Sequence, residues 1–488
     1  MLQGLVANDL RGWKERISCM KTLRIVLLCS FLQLLLMAAV NGHALDPGKR
    51  ITQYQHKMWR VQDGVLPNSP AWISQTTDGY LQVGGDPTGF FRFDGVRFVP
   101  WPSSITPNEA HNFSFLPSKS GGFWIGDFHG VSRVKGERVI AHFDLPGEAG
   151  LMIEDVDGSL WTGRYSYPGP PICHVTDLSA HCFGEAEGMP FQHGNAILLD
   201  GKGGLWIGTD TGLTHWRSGH SEIYEFKGLR SNVGQTGVGD IVQDSDGSLW
   251  VGIKKPGPGL GLEKFDGRNS RPFVTRKFDG SKITVMALLR DHDQNLWVAT
   301  HDNGLYRIHS ETVDHFGRTD GLSSDSVNGF YEDREGILWV ITPAGIDSFT
   351  DRNVNTFSKA EGLSADFVSS VMASRDGTVW LSNPGSLDYI RNGEVFSIRS
   401  GAGLPGFQVT SLLEDHAGQI WVGVDDGLFL YKDHHFRRLP EPNHRPLGMV
   451  TGITEDVDGN IWAECASKPR KLVRIRDFRI QEEFSSSQ

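Results

Sequence analysis

Short apolar runs that follow glycine-containing turns recur along the chain at near-regular intervals. The clearest copy runs from Asp246 to Gly252 and reads Asp-Gly-Ser-Leu-Trp-Val-Gly, in which Asp-Gly predicts a tight turn and Leu-Trp-Val a β-strand. Successive copies are centred 37 to 47 residues apart. The ten copies are centred on Gln82, Trp124, Trp161, Trp206, Trp250, Trp297, Trp339, Trp380, Trp421 and Trp462. A tryptophan-marked period of about 40–45 residues is typical of β-propeller blades.

Each copy lies within a unit of four predicted strands, which we label a to d. In the seventh unit, strand a covers 327–332, strand b 337–341, strand c 346–349 and strand d 355–357. Tight turns separate these strands, so each unit is predicted to be an antiparallel meander. The sequence therefore predicts an all-β fold: a β-propeller of four-stranded blades with ten repeats, as one seven-bladed ring and a partial second propeller.

The predicted mature chain begins with an outer strand, about Gln53 to Trp59, that has no unit of its own. Such a strand can close a ring by pairing with the last blade, because closure removes the exposed sheet edge. We therefore expect a first propeller of about seven blades over residues 45–350. Residues 351–488 are expected to hold three further repeats that form part of a second propeller.

Residues 1–44 have the pattern of a secretory signal peptide. Lys21 and Arg24 precede an apolar run over 25–40, and Gly42 and Ala44 are the small residues of a cleavage site after Ala44. An uncleaved membrane anchor is the alternative, although the run is short for a membrane span. We expect a periplasmic or secreted chain.

Two cysteines flank a predicted hairpin turn at 177–178. Counting outward from this turn places Cys173 directly opposite Cys182. An exported chain permits a disulfide between them. Two reduced buried thiols are the alternative, because a register slip of one residue would separate the two side chains.

Charge and motif spacing exclude several functions. A net charge of −11 argues against a surface that binds nucleic acid or anionic membrane. The Asp-x-Asp-Gly turns resemble the start of a calcium loop, but the positions that need a carboxylate hold Ser166, Lys255 and Ser467. We therefore interpret them as a–b hairpin turns, and we predict neither a metal nor a cofactor.

The repeats resemble the two-component regulator propeller repeats, whose phrase is close to Asp-Gly-x-Leu-Trp-hydrophobic-Gly-Thr-x-x-Gly-Leu. The stretch from Trp206 to Leu213 fits this phrase in full, the stretch from Trp421 to Leu428 nearly so, and the resemblance covers about residues 51–484. In that family, two seven-bladed propellers form the periplasmic input of a histidine kinase, often a hybrid one, and precede a β-sandwich, a membrane helix and the kinase. The resemblance therefore implies a histidine kinase output partner, in a longer chain or a separate one, and membrane attachment only through a further C-terminal part.

One rim of the predicted ring carries the variable loops. In a four-stranded meander the a–b turns lie on one face, and the b–c and d–a connections lie on the other. The a–b turns are nearly identical between copies, whereas the b–c loops vary. Their aromatic and cationic side chains are suited to a carbohydrate or an anionic polymer, and solvated loops stiffened by proline are the alternative. The candidate ligand-binding residues are Arg164, Tyr165, Tyr167, Lys254, Lys255, His129 and His301.

These features predict an exported ligand-binding sensor module whose ligand is a small molecule or glycan, with an oligosaccharide as the leading candidate. No catalytic residue is predicted, because the histidines are scattered over several repeats and lack zinc or nucleophile-elbow spacing. Two alternatives stay open. One is a propeller lyase or hydrolase acting on a polysaccharide or small lactone, and the other is a protein–protein interaction scaffold.

Overall fold

The chain folds into ten β-sheets, which we number sheet 1 to sheet 10 in chain order. The computed structural model describes residues 45–66, 69–85, 89–101, 114–136, 138–165, 169–229, 236–352, 354, 356–441 and 446–485. Nine sheets have four strands, and sheet 8 has a short fifth strand. The predicted all-β architecture with ten four-stranded repeats is confirmed. The predicted signal peptide lies outside the described residues.

The first four sheets follow one another along the chain. Sheet 1 contains β2 (Trp72–Gln75), β3 (Leu81–Gly85), β4 (Gly89–Phe93) and β5 (Phe98–Pro100), and sheet 2 contains β6 (Ser114–Pro117), β7 (Phe123–Gly126), β8 (Gly130–Lys135) and β9 (Arg138–Asp144). Sheet 3 contains β10 (Glu148–Glu154), β11 (Leu160–Tyr165), β12 (Ile172–Val175) and β13 (Ala180–Phe183). Sheet 4 contains β14 (Ala196–Leu199), β15 (Leu205–Gly208), β16 (Gly212–Arg217) and β17 (His220–Glu225).

The next three sheets include one strand from the N-terminus. Sheet 5 contains β18 (Val238–Gln243), β19 (Leu249–Ile253), β20 (Leu262–Phe265) and β21 (Ser270–Pro272). Sheet 6 contains β22 (Val285–Arg290), β23 (Leu296–Thr300), β24 (Leu305–His309) and β25 (Thr312–Phe316). Sheet 7 contains β26 (Gly329–Glu332), β27 (Leu338–Thr342), β28 (Gly345–Thr350) and, as its fourth strand, β1 (Gln55–Arg60).

The last three sheets hold the C-terminal repeats. Sheet 8 contains β29 (Ser370–Ala373), β30 (Val379–Asn383), β31 (Ser386–Arg391), β32 (Glu394–Ser400) and β33 (Gly403–Leu404). Sheet 9 contains β34 (Val409–Glu414), β35 (Ile420–Val424), β36 (Gly427–Lys432) and β37 (His435–Arg438), and sheet 10 contains β38 (Val450–Glu455), β39 (Ile461–Cys465), β40 (Lys471–Arg476) and β41 (Arg479–Ser485). Single 3₁₀ turns occur at Ile51–Gln53, Val61–Asp63, Glu185–Glu187, Gly280–Lys282, Arg318–Asp320 and Lys359–Glu361.

At the a–b turn, the turn aspartate accepts a hydrogen bond from the repeat tryptophan. In sheet 5, Asp244 N donates to Ser248 O at 2.8 Å across the turn, and Gly247 takes a φ of 83° that favours glycine. The Asp244 carboxylate also accepts a 2.9 Å hydrogen bond from the indole Nε1 of Trp250. The same bond, at 2.7 to 2.8 Å, joins Asp291 to Trp297, Asp333 to Trp339, Asp415 to Trp421 and Asp456 to Trp462.

The repeat tryptophan packs against the following sheet. Trp250 of sheet 5 lies in a core cluster with Leu288, Leu296 and Val298 of sheet 6. In the same way, the tryptophans of sheets 6, 8 and 9 pack on sheets 7, 9 and 10. The core is therefore a series of apolar layers between neighbouring sheets, which is the usual packing of one sheet on another.

The first seven sheets form a closed ring. The strands a of neighbouring sheets contact one another, so strand a is the innermost strand, and sheet 1 contacts sheet 7. Trp339 of sheet 7 packs with Ile73, Val83 and Phe93 of sheet 1. β1 pairs antiparallel with β28 along its whole length, from Gln55 opposite Thr350 to Arg60 opposite Gly345.

The fourth strand of sheet 7 corrects one detail of the sequence prediction. Strand d was expected over 355–357, but Thr356 and Phe357 are not in a strand. The edge of β28 that such a strand would need is already paired with β1. His56 of β1 strengthens this pairing, because its Nε2 lies 2.7 Å from Oδ1 of the buried Asp347.

Sheets 8, 9 and 10 pack in series and form what we call the arc. Arg50 donates to Ala360 O at 3.1 Å, and Lys49 Nζ lies 2.6 Å from Asp351 Oδ1, so the segment before β1 holds the connection between ring and arc. The division at residue 350 into two propeller domains stays a prediction.

The predicted cysteine pairing has the expected register. Cys173 of β12 lies opposite Cys182 of β13, and the two residues form a disulfide in the structure. Cys173 is also part of the apolar layer between sheets 2 and 3. The third cysteine of the described chain, Cys465, is buried and free.

The Asp–Trp bond yields a stability prediction. Asp291→Ala leaves the buried indole N–H of Trp297 without an acceptor, so we expect the free energy of unfolding to fall by about 3 kcal/mol. The comparison is Asp302→Ala, an exposed position of the same sheet, for which we expect a change within about 0.5 kcal/mol. Guanidinium denaturation followed by tryptophan fluorescence measures both, and equal effects would contradict this role for the bond.

Candidate functional site

The structure places the described candidate residues at the b–c connections. Arg164 and Tyr165 end β11, Lys254 and Lys255 follow β19, His129 precedes β8 and His301 follows β23. Both histidines are exposed, whereas both lysines are half-buried. Tyr167 lies outside the described residues, as do the side chains of Arg164 and Tyr165.

Three of these residues occupy one structurally equivalent position. In sheets 3 to 6, strand b pairs with strand a at Gly163, Gly208, Gly252 and Ala299. The residue two positions after each of these is Tyr165, Asp210, Lys254 or His301. The backbone N–H of Lys254 donates to Gly237 O at 2.9 Å and that of His301 to Thr284 O at 3.1 Å, directly before strand a. These four positions therefore lie beside the innermost strands, and we call them the mouth.

Asp210, which was not among the predicted site residues, is the polar group of the mouth with the most side-chain hydrogen bonds among the described residues. Its carboxylate accepts a 2.9 Å hydrogen bond from Asn195 Nδ2 and lies 3.0 Å from His193 Nδ1. Asp210 is buried, and so is Asn195. Neighbours on the d–a connection thus fix the carboxylate in place, which is a property of preorganised binding groups.

Lys254 is the least satisfied charged group of the mouth. Its side chain lies flat over Gly239, where an added Cβ would come within 2.8 Å of the lysine Cγ and Cε. Burial lowers the pKa of Lys254, and the charges of Asp240 and Asp210 oppose that change. In the described part of the chain, neither carboxylate comes within ion-pair distance of the ammonium, and no hydrogen-bond acceptor reaches it. The ammonium is therefore available to a ligand.

Asp240 lies beside Lys254 on the innermost strand of sheet 5. It accepts hydrogen bonds of 2.8 Å from the backbone N–H groups of Ile241 and of Leu288 in sheet 6. Burial raises the pKa of Asp240 to about 6 despite these bonds. A carboxyl with a raised pKa near a lysine with a lowered pKa is the kind of pair that clusters at functional sites.

The other predicted residues have local roles. Lys255 Nζ donates to Gly228 O at 2.8 Å, so this lysine braces the loop before sheet 5. His129 is one residue beyond the mouth position of sheet 2, which Phe128 occupies with 43% exposure. The structure thus places Asp210, Lys254 and His301 at equivalent positions of three successive sheets, whereas Lys255 and His129 lie outside the mouth positions.

A concavity of about 980 Å³ lies on the outer side of the ring, between sheets 5, 6 and 8. Its central cation, Arg307, is bound by Asp314 at 2.5 Å and by the Tyr54 hydroxyl. Lys49 is paired with Asp351 at 2.6 Å. Because these two cations already hold the segment before β1 against the ring, whereas Lys254 has no partner among the described residues, the mouth is the better candidate for ligand binding.

The fold and the repeats define an all-β propeller protein made of tryptophan-marked blades. The family model of the two-component regulator propeller matches residues 321–344, which include β26 and β27. This repeat of the chain therefore matches the two-component regulator propeller, in agreement with the resemblance found in the sequence. No curated protein sequence matches the chain.

Solved structures share this fold at low sequence identity. A structure of the extracellular domain of BT4673 from B. thetaiotaomicron, named as part of a one-component system, has 16% identity and a TM-score of 0.50, with 89% of this chain and 61% of that chain covered. A second structure of that domain, named as part of a hybrid two-component system, has 14% identity and a TM-score of 0.51, with coverages of 88% and 72%. A streptogramin B lyase has 15% identity and a TM-score of 0.50, with 62% of this chain and 99% of that chain covered.

These similarities establish the β-propeller fold, and the chain spans 61% of the length of the first structure. No helix in the described ranges is long and apolar enough to span a membrane.

The raised pKa of Asp240 makes the free energy of unfolding of the protein depend on pH. Its folded-state pKa of about 6 exceeds the ordinary 3.8, so its stabilising contribution is present below pH 4 and is lost as the pH rises through 6. Asp240→Asn does not titrate, so we expect its unfolding free energy relative to the unmodified protein to rise by about 2 kcal/mol from pH 4 to pH 7. Urea denaturation at both pH values measures this, and a pH-independent difference would contradict the burial of this carboxyl.

Proposed function

We propose that this chain is the exported ligand-binding sensor part of a two-component signalling system, and that it binds an oligosaccharide at the mouth of the ring. The observation that carries this proposal is the Lys254 ammonium, which lies near two carboxylates and has no partner among the described residues. An unpaired, partly buried ammonium gains hydrogen bonds when a ligand supplies acceptors.

The chemistry of the mouth favours sugar hydroxyls over a simple anion. A hydroxyl accepts from the lysine ammonium and donates to a carboxylate, so a sugar satisfies Lys254 and Asp210 at once. A bare anion would gain Lys254 but would also face Asp210 and Asp240. The exposed ring of Phe128 offers an apolar surface at the same level of sheet 2.

Export and the kinase partner rest on other observations. The disulfide between Cys173 and Cys182 suits an oxidising compartment outside the cytoplasm, in agreement with signal-peptide cleavage near Ala44. The repeats are those of two-component regulators, so we propose that a histidine kinase module, in a longer chain or a separate one, receives the signal. Bound ligand would bias the arrangement of the propellers, proposed to occupy 45–350 and 351–488, because only differential binding shifts such an equilibrium.

A propeller lyase or hydrolase is the second candidate. The pair of Asp240 with a pKa of about 6 and Lys254 with a lowered pKa has the character of groups that transfer protons. Incubation of the protein with the oligosaccharide that it binds separates the two functions. New reducing ends, or unsaturated products, would identify an enzyme, and recovery of the intact sugar supports a binding module.

The binding proposal predicts a specific loss on substitution of Lys254. A glycan array of neutral and acidic oligosaccharides identifies a binder of the chain over residues 45–488, and calorimetry gives its affinity. We expect Lys254→Met to weaken this affinity at least about tenfold, because the change removes a charged hydrogen-bond donor.

The matched comparison is Lys202→Met, on the a–b turn of sheet 4 at the opposite face of the ring. We expect this variant to bind with unchanged affinity. Array hits that survive Lys254→Met, or hits that are lost equally in both variants, would overturn the assignment of the mouth.

A further inference from the structure

The segment before β1 is part of the apolar core of the ring. Leu45, Ile51 and Tyr54 are 2%, 1% and 3% exposed. They belong to the core cluster that also holds Trp297 of sheet 6 and Leu338 of sheet 7. This segment, residues 45–54, therefore packs against the layer between two neighbouring sheets, and we call it the strap.

Hydrogen bonds hold the strap in one conformation. The Tyr54 hydroxyl donates to Asp46 O at 2.7 Å, and the backbone N–H of Lys49 donates to the same oxygen at 3.1 Å. The buried Arg307 of sheet 6 donates to Lys49 O and to the Tyr54 hydroxyl. The beginning of the strap is thus fixed relative to sheet 6.

The backbone nitrogen of Leu45 contacts a carboxylate. It donates to Asp293 Oδ2 at 3.3 Å. Asp293 lies in the a–b turn of sheet 6, between β22 and β23, on the face of the ring opposite the mouth. Leu45 is also the residue that follows the predicted cleavage site after Ala44. The nitrogen that contacts Asp293 is therefore the one that cleavage would set free.

We propose that the α-ammonium group formed by cleavage after Ala44 pairs with Asp293, so that maturation of the chain strengthens the closure of the ring. This inference rests on the export proposed above. Hydrolysis of the Ala44–Leu45 peptide bond consumes one water. It leaves a carboxylate on Ala44 and an ammonium group on Leu45, the form that predominates below a pH of about 7.7.

The change in charge accounts for the gain in stability. In the uncleaved chain Leu45 offers Asp293 one neutral amide N–H, whereas an ammonium brings a positive charge to the same contact. Hydrogen bonds between ionised groups are roughly twice as strong as neutral ones. The strap leads directly into β1, which pairs with β28 and closes the ring. A firmer hold on the beginning of the strap therefore opposes the release of β1.

The N-terminus of the exported chain is the first measurement. Mass spectrometry of the chain purified after export should give Leu45 as its first residue. Chains over 45–488 and 44–488, each released from a fusion partner without extra residues, then form a matched pair. The ammonium of the longer chain lies about 3.8 Å further along the backbone, away from Asp293.

The reactivity of the amino group tests the contact directly. Acetylation at pH 7 requires the unprotonated amine, and a neighbouring carboxylate favours the ammonium. We expect Asp293→Asn to speed the acetylation of Leu45 at least about threefold and to leave that of Ala44 in the longer chain unchanged. Asp302→Asn, at an exposed position of the b–c turn of the same sheet, should change neither rate.

Thermal unfolding separates the ion pair from a merely structural role of Asp293. We expect Asp293→Asn to lower the melting temperature of the 45–488 chain by at least about 2 °C more than that of the 44–488 chain. Equal falls in the two chains, or an unchanged acetylation rate at Leu45, would overturn the ion pair and leave the proposed export intact. A first residue other than Leu45 would instead refute the cleavage position, and the inference with it.

Discussion

The rest of the structure depends on two contacts of the repeat tryptophan, a hydrogen bond to its own turn and packing against the neighbouring sheet. In sheets 5, 6, 7 and 9 its indole N–H is bound by the turn aspartate of the same repeat, and its ring packs in the layer toward the neighbouring sheet. The hydrogen bond fixes the ring orientation, and the ring buries a large apolar surface in the contact between sheets. The apolar face of each sheet is thus buried by the neighbouring sheet.

Because each sheet packs its tryptophan against a neighbouring sheet, one rule describes both the closed ring and the arc. In the ring, Trp339 of sheet 7 finds its neighbour in sheet 1, and β1 supplies the missing outer strand. The arc repeats the same contacts twice and then presents Trp462 with no sheet beyond it among the described residues. The same physical rule therefore accounts for the closure of the ring and for the packing of sheets 8, 9 and 10 in series.

The two faces of the ring have different freedom to vary. The a–b turns of sheets 5, 6, 7, 9 and 10 each supply an aspartate that accepts the tryptophan N–H, so the chemistry of these turns varies little. The b–c connections take no part in this hydrogen bond. Their equivalent position can therefore vary, and it holds Asp210, Lys254 or His301 in successive sheets. A recognition surface can therefore be built at the mouth without disturbing the packing below it.

Much of the fold could be predicted from the sequence because the repeat is local. The Asp-Gly turn, the apolar run and the tryptophan lie within seven residues, and counting outward from one hairpin turn sufficed to pair Cys173 with Cys182. Strand d over 355–357 was wrong because its place depends on β1, about 290 residues away, which closes the ring.

The site was only partly predictable, for two different reasons. Asp210 could have been found, since it stands two residues after Gly208 as Lys254 stands two after Gly252. Asp240 could not, because a bulge between Val238 and Asp240 changes the register of the innermost strand. Burial by the next sheet, which raises its pKa, has no signal in the sequence.

A crystal structure of residues 45–488 with the tightest-binding oligosaccharide would test the central claim most directly. The account predicts the sugar at the mouth, with a hydroxyl within hydrogen-bond distance of Lys254 Nζ and another at the Asp210 carboxylate. A sugar bound on the a–b turn face, or in the cleft between the ring and sheet 8 with the mouth empty, would contradict it.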